Sequence, residues 1–345
     1  MQEVLYRKYR PLKFADVIGQ DHIVKGLEVA IKSGDLPHAF IFSGGRGTGK
    51  TSVARILATE LGIKKEDIYE IDAASNRGID DIRSIKESVS SVPFASDYKI
   101  YIIDEVHMLS KDAFNALLKT IEEPPAYAFF VLATTEFEKI PETIVSRCVT
   151  YDFKKPGEAV LEELVTSVSK KEKVSIDKDA AELIAFLGDG SFRDTLSNLQ
   201  KVLISTDEKK INFDHVAEIT GAPKKISIRN MLSAISESRV EDALSIIREE
   251  SKMGRDVEIF YRLFIAEFRL ALIARYAPKL LADFADSYSK EDIDFLMSIG
   301  SAKSKTITSS SLAKLIGTLH DIRYAPVPSL PLEIAILEIC SEATS

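Results

Sequence analysis

Residues 44–51 read Gly44-Gly45-Arg46-Gly47-Thr48-Gly49-Lys50-Thr51, which fits the phosphate-binding P-loop pattern G-x-x-x-x-G-K-[ST]. The apolar run 39–42 before it is typical of a buried strand, and 52–58 after it has helical spacing. Glycines let backbone N–H groups turn toward phosphate oxygens, Lys50 reaches the β- and γ-phosphates, and Thr51 holds Mg²⁺. A plain glycine-rich loop is the alternative, but both flanks favour a nucleotide-binding site.

A second motif is an apolar strand, 99–104, that ends in the acids Asp104 and Glu105. Phosphoryl transfer needs a magnesium-orienting acid and a water-orienting acid, and these two residues are predicted to fill those roles. A strand that merely ends in solvated acids is the alternative. His107 is expected to pack locally, because no second His lies at helical spacing to complete a metal site.

Strand-like and helical patterns alternate in the first part of the chain. Strands are predicted at 39–43, 68–72, 99–104 and 128–134, with helices near 50–61, 79–91 and 111–122. This order predicts a parallel sheet covered by helices on both faces, with ligands at the carboxyl ends of its strands. Beyond Pro156-Gly157 helical patterns dominate, including a long one at 257–276 and a last apolar helix at 332–340. The predicted domains are 1–155 for nucleotide binding, a small helical domain at 156–222 and a second helical domain at 223–345.

Composition limits the class of protein. The 345 residues carry a formal net charge of −8 and two cysteines, Cys148 and Cys340. Neither a disulfide framework nor a four-cysteine zinc site is possible with two thiols. No apolar run is long enough to span a bilayer and the first residues lack the pattern of a signal peptide, so we expect a cytoplasmic protein without a membrane partner.

Two further residues have open interpretations. Thr135 follows a predicted strand, where its hydroxyl would lie beside the γ-phosphate or would cap a loop. Arg147 follows a short predicted helix, from which it would reach a neighbouring subunit's nucleotide or form a surface salt bridge. The residues alone do not decide between these readings.

Taken together, these stretches resemble the clamp-loader ATPase subunits of bacterial DNA polymerase III, the gamma/tau members of the AAA+ family. The resemblance covers residues 1 to about 200, and the last third is supported only by its helical pattern. The matching stretches are LYRKYRP at 5–11, VIGQ at 17–20, the P-loop, IDAASNRGIDDIR at 71–83, DEVHML at 104–109, NALLKTIEEPP at 115–125, SRC at 146–148 and GSFRD at 190–194.

The resemblance implies an ATPase with ATP and Mg²⁺ as ligands, acting in DNA replication. Such a subunit works in a hetero-oligomer with delta and delta-prime subunits and other copies of itself. It opens a sliding clamp and loads it onto primed template DNA. Hydrolysis is therefore expected to be DNA-dependent.

The resemblance also assigns roles to residues. Residues 156–222 would form a lid domain and residues 223–345 a collar for oligomerisation. Thr135 would be sensor 1, Arg147 the arginine finger acting in trans, and Arg193 sensor 2, which reads the γ-phosphate from the lid. The implied catalytic set is Lys50, Asp104, Glu105, Thr135, Arg147 and Arg193, with Thr51 and Asp104 holding Mg²⁺. The implied nucleotide-binding set is Gly44, Gly45, Arg46, Gly47, Thr48, Gly49, Lys50, Thr51, Ser52, Tyr9, Arg10, Pro11, Val17, Ile18 and Arg193. The implied DNA contacts are Arg77, Arg83, Lys119 and Lys139, for which solvated helix faces are the alternative.

The chain departs from the family pattern in two places. Many relatives insert a four-cysteine zinc module after the P-loop helix, whereas residues 61–67 run directly into the next predicted strand, so zinc is not expected. The sequence also stops soon after the third segment. We therefore expect no tau-type extension, as in a short gamma form or a truncated chain.

Rival interpretations remain within and beyond this family. A small subunit of replication factor C shares the P-loop and SRC, but DEVHML and EEPP favour the bacterial loader. A delta-prime subunit typically has a degraded P-loop, and the intact Lys50, Thr51, Asp104 and Glu105 count against it. A RuvB-like motor would need a C-terminal winged helix, which the helical, proline-broken tail does not resemble. A nucleotide-binding scaffold without hydrolysis is the alternative from another class.

Overall fold

The structure is a computed structural model that describes residues 3–76, 78–206, 208–284, 290–302 and 304–344. The chain divides into two compact units. Unit 1 consists of Met1–Leu164 and Gly188–Ser197, and unit 2 consists of Val165–Leu187 and Asn198–Ser345. The finer three-domain division at 155/156 and 222/223 stays a prediction.

Unit 1 contains a five-stranded sheet with the order β2-β3-β4-β1-β5. All four neighbouring pairs are parallel. The order places the P-loop strand β1 between β4 and β5, so the carboxyl ends of all the strands lie at one edge of the sheet. The strands are β1 (Ala39–Gly44), β2 (Ile68–Asp72), β3 (Lys99–Asp104), β4 (Ala128–Thr134) and β5 (Val149–Phe153).

The sequence analysis found four of these strands and missed β5, although a parallel sheet was predicted correctly. In β5 only Phe153 is buried, whereas β4 is buried along its whole length. A short edge strand with exposed residues lacks the continuous apolar run that identifies a central parallel strand.

Helices cover both faces of the sheet, as predicted. One hydrophobic cluster joins Ile41, Ile103 and Phe130 to buried residues of α4 and α5. The other joins Phe40 and Ile102 to α2 and α3, because neighbouring strand residues point to opposite faces. The helices that lie entirely within unit 1 are α1 (Leu5–Lys8), α2 (Asp21–Ser33), α3 (Lys50–Glu60), α4 (Ile79–Ser90), α5 (Lys111–Glu122) and α6 (Glu142–Val145).

Local sequence explains where several helices begin. Ser110 precedes α5, and its side chain accepts a hydrogen bond from the Ala113 N–H. Such a cap satisfies a backbone donor that the first helical turn leaves without a partner. Two later helices, α7 (Glu158–Lys171) and α9 (Phe192–Ser205), begin in unit 1 and continue into unit 2.

Unit 2 is mainly helical. Its large apolar cluster is centred on Phe260, Phe264 and Phe268 of α13, with Ile336 from the last helix. A two-residue parallel pair, β6 (Ser175–Ile176) with β7 (Lys210–Ile211), was not predicted, because two residues are too few for a pattern. The remaining helices are α8 (Lys178–Leu187), α10 (Phe213–Thr220), α11 (Lys225–Ser236), α12 (Val240–Lys252), α13 (Val257–Tyr276), α14 (Lys290–Ser301), α15 (Ser309–Leu319) and α16 (Leu330–Thr344).

In the described ranges, every helix is too short or too polar to cross a bilayer.

Candidate nucleotide site

A cavity of about 480 Å³ opens at the P-loop and is lined only by residues of unit 1. Its size is within the range of small-molecule sites. Its walls come from the N-terminal segment, the P-loop and α3, the ends of β2 and β3, and the start of α9. The lining residues are Tyr6, Tyr9, Arg10, Pro11, Asp16, Val17, Ile18, Arg46, Gly47, Thr48, Gly49, Lys50, Thr51, Ser52, Val53, Arg55, Glu70, Ile71, Asp72, Ile102, Asp104, Glu105, Leu164, Phe192, Arg193 and Leu196.

The P-loop glycines are required by backbone geometry. Gly44, Gly47 and Gly49 have φ values of 135°, 71° and 105°, a region that other residues rarely adopt. A Cβ atom on Gly44 would lie 2.3 Å from the Phe153 carbonyl oxygen, and one on Gly47 would lie 2.0 Å from Ser191 Oγ. The loop therefore turns tightly against two neighbouring segments before α3 begins.

Lys50 lies at the start of α3 and is 6% exposed. Its Nζ donates hydrogen bonds to the carbonyl oxygens of Gly44, at 2.7 Å, and Gly45, at 2.8 Å. Burial lowers the pKa of Lys50, while the nearby Glu105 and Asp104 carboxylates oppose that shift. The loop's own carbonyl groups thus hold the ammonium in the cavity wall.

Thr51 and Asp104 form the pair of oxygen groups that suits Mg²⁺. Thr51 Oγ1 donates to Asp104 Oδ2 at 3.0 Å, although the two residues come from different elements. A hydroxyl and a carboxylate at the cavity wall are ligands of the kind that Mg²⁺ uses beside nucleotide phosphates. The oxygen atoms of Thr51 and Asp104 are therefore suitable ligands for Mg²⁺, the ion that the resemblance implies.

Glu105 and Thr135 are in direct contact. Thr135 Oγ1 donates to Glu105 Oε2 at 2.9 Å, and Glu105 has a left-handed backbone with φ 48°. A non-glycine residue in this region is uncommon and is often found at functional sites. His107, predicted to pack locally, contacts Thr134 Oγ1 through Nδ1 at 3.0 Å and Glu136 Oε1 through Nε2 at 3.1 Å.

The opposite wall contains all five residues that were expected to enclose the nucleotide: Tyr9, Arg10, Pro11, Val17 and Ile18. Burial and the charge of Arg55 lower the pKa of Arg10, while Glu70 opposes this shift. Arg55 Nη2 contacts Glu70 Oε2 at 2.5 Å. Sequence reasoning missed Arg55 and Glu70, because they come from α3 and β2 and belong to no motif.

Arg193 also lines the cavity. Its guanidinium lies 5.0 Å from the centre of the Tyr6 ring, a cation–π contact that sequence reasoning did not identify. The preceding residue, Phe192, contacts the P-loop through its backbone, because its N–H donates to the Gly47 carbonyl oxygen at 3.0 Å. The N-terminal turn of α9 is thereby fixed to the P-loop.

Arg147 is not among the residues that line the cavity. Its Nη1 donates to the Thr143 carbonyl oxygen at 2.8 Å and to Ser146 Oγ at 3.1 Å, and its Nη2 contacts Glu122 Oε1 at 2.8 Å. The side chain is 39% exposed. Both the surface salt bridge and the action on a neighbour are compatible with this geometry.

Two of the four predicted DNA contacts, Lys119 and Lys139, are exposed. Lys119 is exposed on α5. Lys139 is exposed and pairs with Glu136 Oε2 at 2.7 Å. Arg77 lies outside the described residues. The backbone of Arg83 belongs to α4, and its side chain lies outside the description.

Among the described residues, no group of three or more His, Cys, Asp or Glu side chains is arranged to hold a metal ion. Residues 61–67 lead through a short 3₁₀ turn, Lys65–Asp67, into β2. Cys148 is half-buried and Cys340 is buried, and the two do not form a disulfide. The expectation that the chain binds no zinc stays a prediction.

Comparison with known proteins gives consistent results. A family model described as "DNA polymerase III, delta subunit" matches residues 64–157. The chain is 36% identical to DNA polymerase III subunit tau of Bacillus subtilis, covering 98% of this chain but 63% of that protein. It is 31% identical to DNA polymerase III subunit gamma of Buchnera aphidicola, covering 98% of this chain and 99% of that protein.

Solved structures show the same architecture. A variant of RuvB from Thermotoga maritima superposes with a TM-score of 0.54 at 25% identity, over 66% of this chain and 80% of that one. The fold is therefore that of a P-loop ATPase, as the sequence predicted. The similarity to the gamma and tau chains extends over nearly all of this chain, whereas the RuvB match covers two thirds of it.

Proposed function

Because the chain belongs to the gamma/tau family of DNA polymerase III subunits, we propose that it is the ATP-hydrolysing subunit of a clamp loader. In this role it opens a sliding clamp and loads it onto primed template DNA. The observation that carries the proposal is the meeting of Lys50, the Thr51–Asp104 pair and Glu105 at one edge of the parallel sheet. A P-loop ATPase needs these groups together.

The nucleotide would lie in the cavity beside the P-loop. Backbone N–H groups of the loop and the Lys50 ammonium would bind its phosphates, while Tyr9, Pro11 and Val17 would enclose the base and sugar. Thr51 and Asp104 would hold Mg²⁺, which when bound neutralises phosphate charge. Arg193 would contact the γ-phosphate, and its place in the cavity wall supports this role.

Hydrolysis requires a water molecule aligned with the γ-phosphate. Glu105 would orient that water and accept hydrogen bonds from it, and Thr135 would fix the Glu105 carboxylate. Arg147 would act on the ATP of the adjacent subunit, since it is half-exposed and is not among the residues that line its own cavity. ATP would therefore be bound at a junction between subunits.

The assembly would contain delta and delta-prime subunits and further copies of this chain. It would bind primed DNA through exposed basic side chains. Lys119 and Lys139 would contact phosphates without reading bases, so binding should weaken with salt and tolerate any sequence. The clamp and the DNA would be released after hydrolysis, because the γ-phosphate contacts exist only in the ATP-bound state. Such a protein would act in the cytoplasm.

Steady-state ATPase assays test the proposal. The chain is mixed with its cognate delta and delta-prime subunits and measured with and without clamp and primed DNA. We expect strong stimulation by clamp and DNA, abolished by Lys50→Ala because the variant loses the phosphate-binding ammonium. Weak turnover without stimulation would instead favour a nucleotide-binding scaffold or another ATPase role.

A further inference from the structure

Tyr6 and Arg193 meet in the wall of the nucleotide cavity. Tyr6 belongs to the short helix α1, and Arg193 lies in the first turn of α9. The Arg193 guanidinium is 5.0 Å from the centre of the Tyr6 ring, within the range of a cation–π contact. Both residues line the cavity, and both belong to unit 1. The contact therefore lies inside the site that would bind the nucleotide.

The backbone on both sides of this contact is held in place. Leu5, the residue before Tyr6, is 4% exposed and anchors α1 in the core. The Phe192 N–H donates to the Gly47 carbonyl oxygen at 3.0 Å and fixes the first turn of α9 to the P-loop. The Arg193 side chain itself is exposed and has several rotatable bonds. Its direction is therefore decided by its neighbours and not by the backbone.

Arg193 shares this part of the cavity with other cations. Burial lowers the pKa of Arg10, and neighbouring charges, among them those of Arg7 and Arg193, lower it further. The Arg7 guanidinium lies 5.9 Å from the centre of the same Tyr6 ring. Repulsion between these charges favours an Arg193 side chain that turns away into solvent. The ring of Tyr6 acts in the opposite direction, because its negative face attracts a guanidinium.

We propose that Tyr6 is a positioning residue that keeps the Arg193 guanidinium at the place of the γ-phosphate and so favours nucleoside triphosphates over diphosphates. This inference rests on the proposed function, in which Arg193 contacts the γ-phosphate. A guanidinium stacks on an aromatic ring through its flat face, whereas its N–H donors point outward in its plane. Arg193 can therefore keep the Tyr6 contact while it donates to a phosphate. Because the ring already orders this long side chain, less side-chain entropy is lost when a triphosphate binds.

Nucleotide titrations of the full chain by calorimetry, with Mg²⁺ present, test this role. Tyr6→Leu keeps an apolar side chain but removes the ring. Its affinity for adenylyl imidodiphosphate, a non-hydrolysable ATP analogue, should fall about fivefold, the size of one cation–π contact. Its affinity for ADP should stay unchanged, because ADP has no γ-phosphate. Tyr6→Phe keeps the ring face and should bind both nucleotides as the wild-type chain does.

Three further variants separate positioning from direct contact with the nucleotide. Tyr9→Leu is the matched control, because Tyr9 lines the same cavity and is expected to enclose the base and sugar. It should weaken the binding of both nucleotides by the same factor. Arg193→Ala should weaken binding of the triphosphate analogue more than binding of ADP. The double variant of Tyr6→Leu with Arg193→Ala should match Arg193→Ala alone, since Tyr6 acts through Arg193.

The inference and the proposed function fail in different ways. An unchanged ratio of the two affinities in Tyr6→Leu, or a further loss of that ratio in the double variant, would overturn the role of Tyr6 and leave the ATPase function intact. Equal losses for both nucleotides in Tyr6→Leu would assign Tyr6 to the base or sugar instead. Tyr6→Met replaces Tyr6→Leu if circular dichroism shows that the latter is unfolded. A wild-type chain that binds neither nucleotide would overturn the proposed function and the inference together.

Discussion

Gly47 shows how a single missing Cβ atom shapes the nucleotide site. Its φ is 71°, and a Cβ at this position would lie 2.0 Å from Ser191 Oγ. We expect Gly47→Ala to weaken ATP binding at least about fivefold, because a methyl group forced into a packed site costs about 1–3 kcal/mol. Titration with a fluorescent ATP analogue measures the change.

Gly62 provides the matched control. It has nearly the same φ, 73°, but apart from its chain neighbours no described residue has a heavy atom within 4 Å of the added Cβ. Gly62→Ala should lose about 1 kcal/mol of folding stability from the left-handed backbone and should keep its ATP affinity. Equal losses of ATP affinity in both variants would mean that contact with Ser191 is not the cause.

A second single-residue prediction concerns the role of Arg147 in hydrolysis. In the assembly, Arg147→Ala should leave ATP affinity nearly intact and lower the hydrolysis rate by about 10³ or more, the range measured for arginine fingers. Nucleotide titration and steady-state ATPase separate the two effects. Arg193→Ala is the comparison, because Arg193 lines the cavity and its loss should lower affinity as well. An equal loss of affinity and turnover in Arg147→Ala would assign Arg147 to its own subunit's pocket.

Among secondary-structure elements, α4 has an unusual C-terminal contact. Lys99, the first residue of β3, is fully buried, and its Nζ donates to the carbonyl oxygens of Ser88 and Ser91 at 2.5 Å each. A cation at a helix C-terminus is stabilised by the helix dipole. Burial lowers the pKa of Lys99, and Asp67 opposes this shift.

We expect Lys99→Met to lower the free energy of unfolding by about 1–3 kcal/mol, because it removes the charged hydrogen bonds that the buried Lys99 ammonium donates to two carbonyl groups at the end of α4. Urea unfolding followed by circular dichroism measures the difference. Lys86→Met on the same helix is the control, since Lys86 is exposed and its loss should stay within about 0.5 kcal/mol. A matching loss in both variants would argue against the contact at the helix end.

Elements with strong periodic patterns could be predicted from the sequence, and elements defined by tertiary contacts could not. The predicted bounds of α13, Val257–Tyr276, agree with the structure. β5 was missed because its stability comes from pairing with β1. The final helix was predicted at 332–340 but begins at Leu330, because Pro331 fits the first turn, where no N–H partner is needed.

The candidate site follows the same rule. The P-loop, Asp104 and Glu105 are local patterns, and the fold brings them together as expected. Tyr6 beneath Arg193, and the Arg55–Glu70 pair, depend on which elements meet at the cavity. Contacts between residues of different elements cannot be predicted from the spacing of residues in the sequence.

For the molecule as a whole, the location of the cavity predicts how ATP changes its dynamics. All lining residues belong to unit 1, so binding energy is gained there. At 100 times its dissociation constant a ligand stabilises the state that it binds by about 2.7 kcal/mol. We expect ATP with Mg²⁺ to slow hydrogen exchange of residues 6–18, 46–55 and 192–196.

Hydrogen exchange read by mass spectrometry tests this with Lys50→Ala as the reference. Peptides of α13 should exchange at the same rate with and without ATP in the isolated chain. Protection that is as strong in α13 as in the P-loop would mean that nucleotide binding acts on the whole chain.

The burial of the two thiols has a practical consequence for chemical labelling. Burial raises the pKa of Cys148 to about 11 and also raises that of Cys340. Since only the thiolate reacts, Cys148 would be reactive in about 0.03% of molecules at pH 7.5. Maleimide dyes should therefore spare both native cysteines, and a cysteine introduced at exposed Lys119 would carry a single fluorophore without any background substitution.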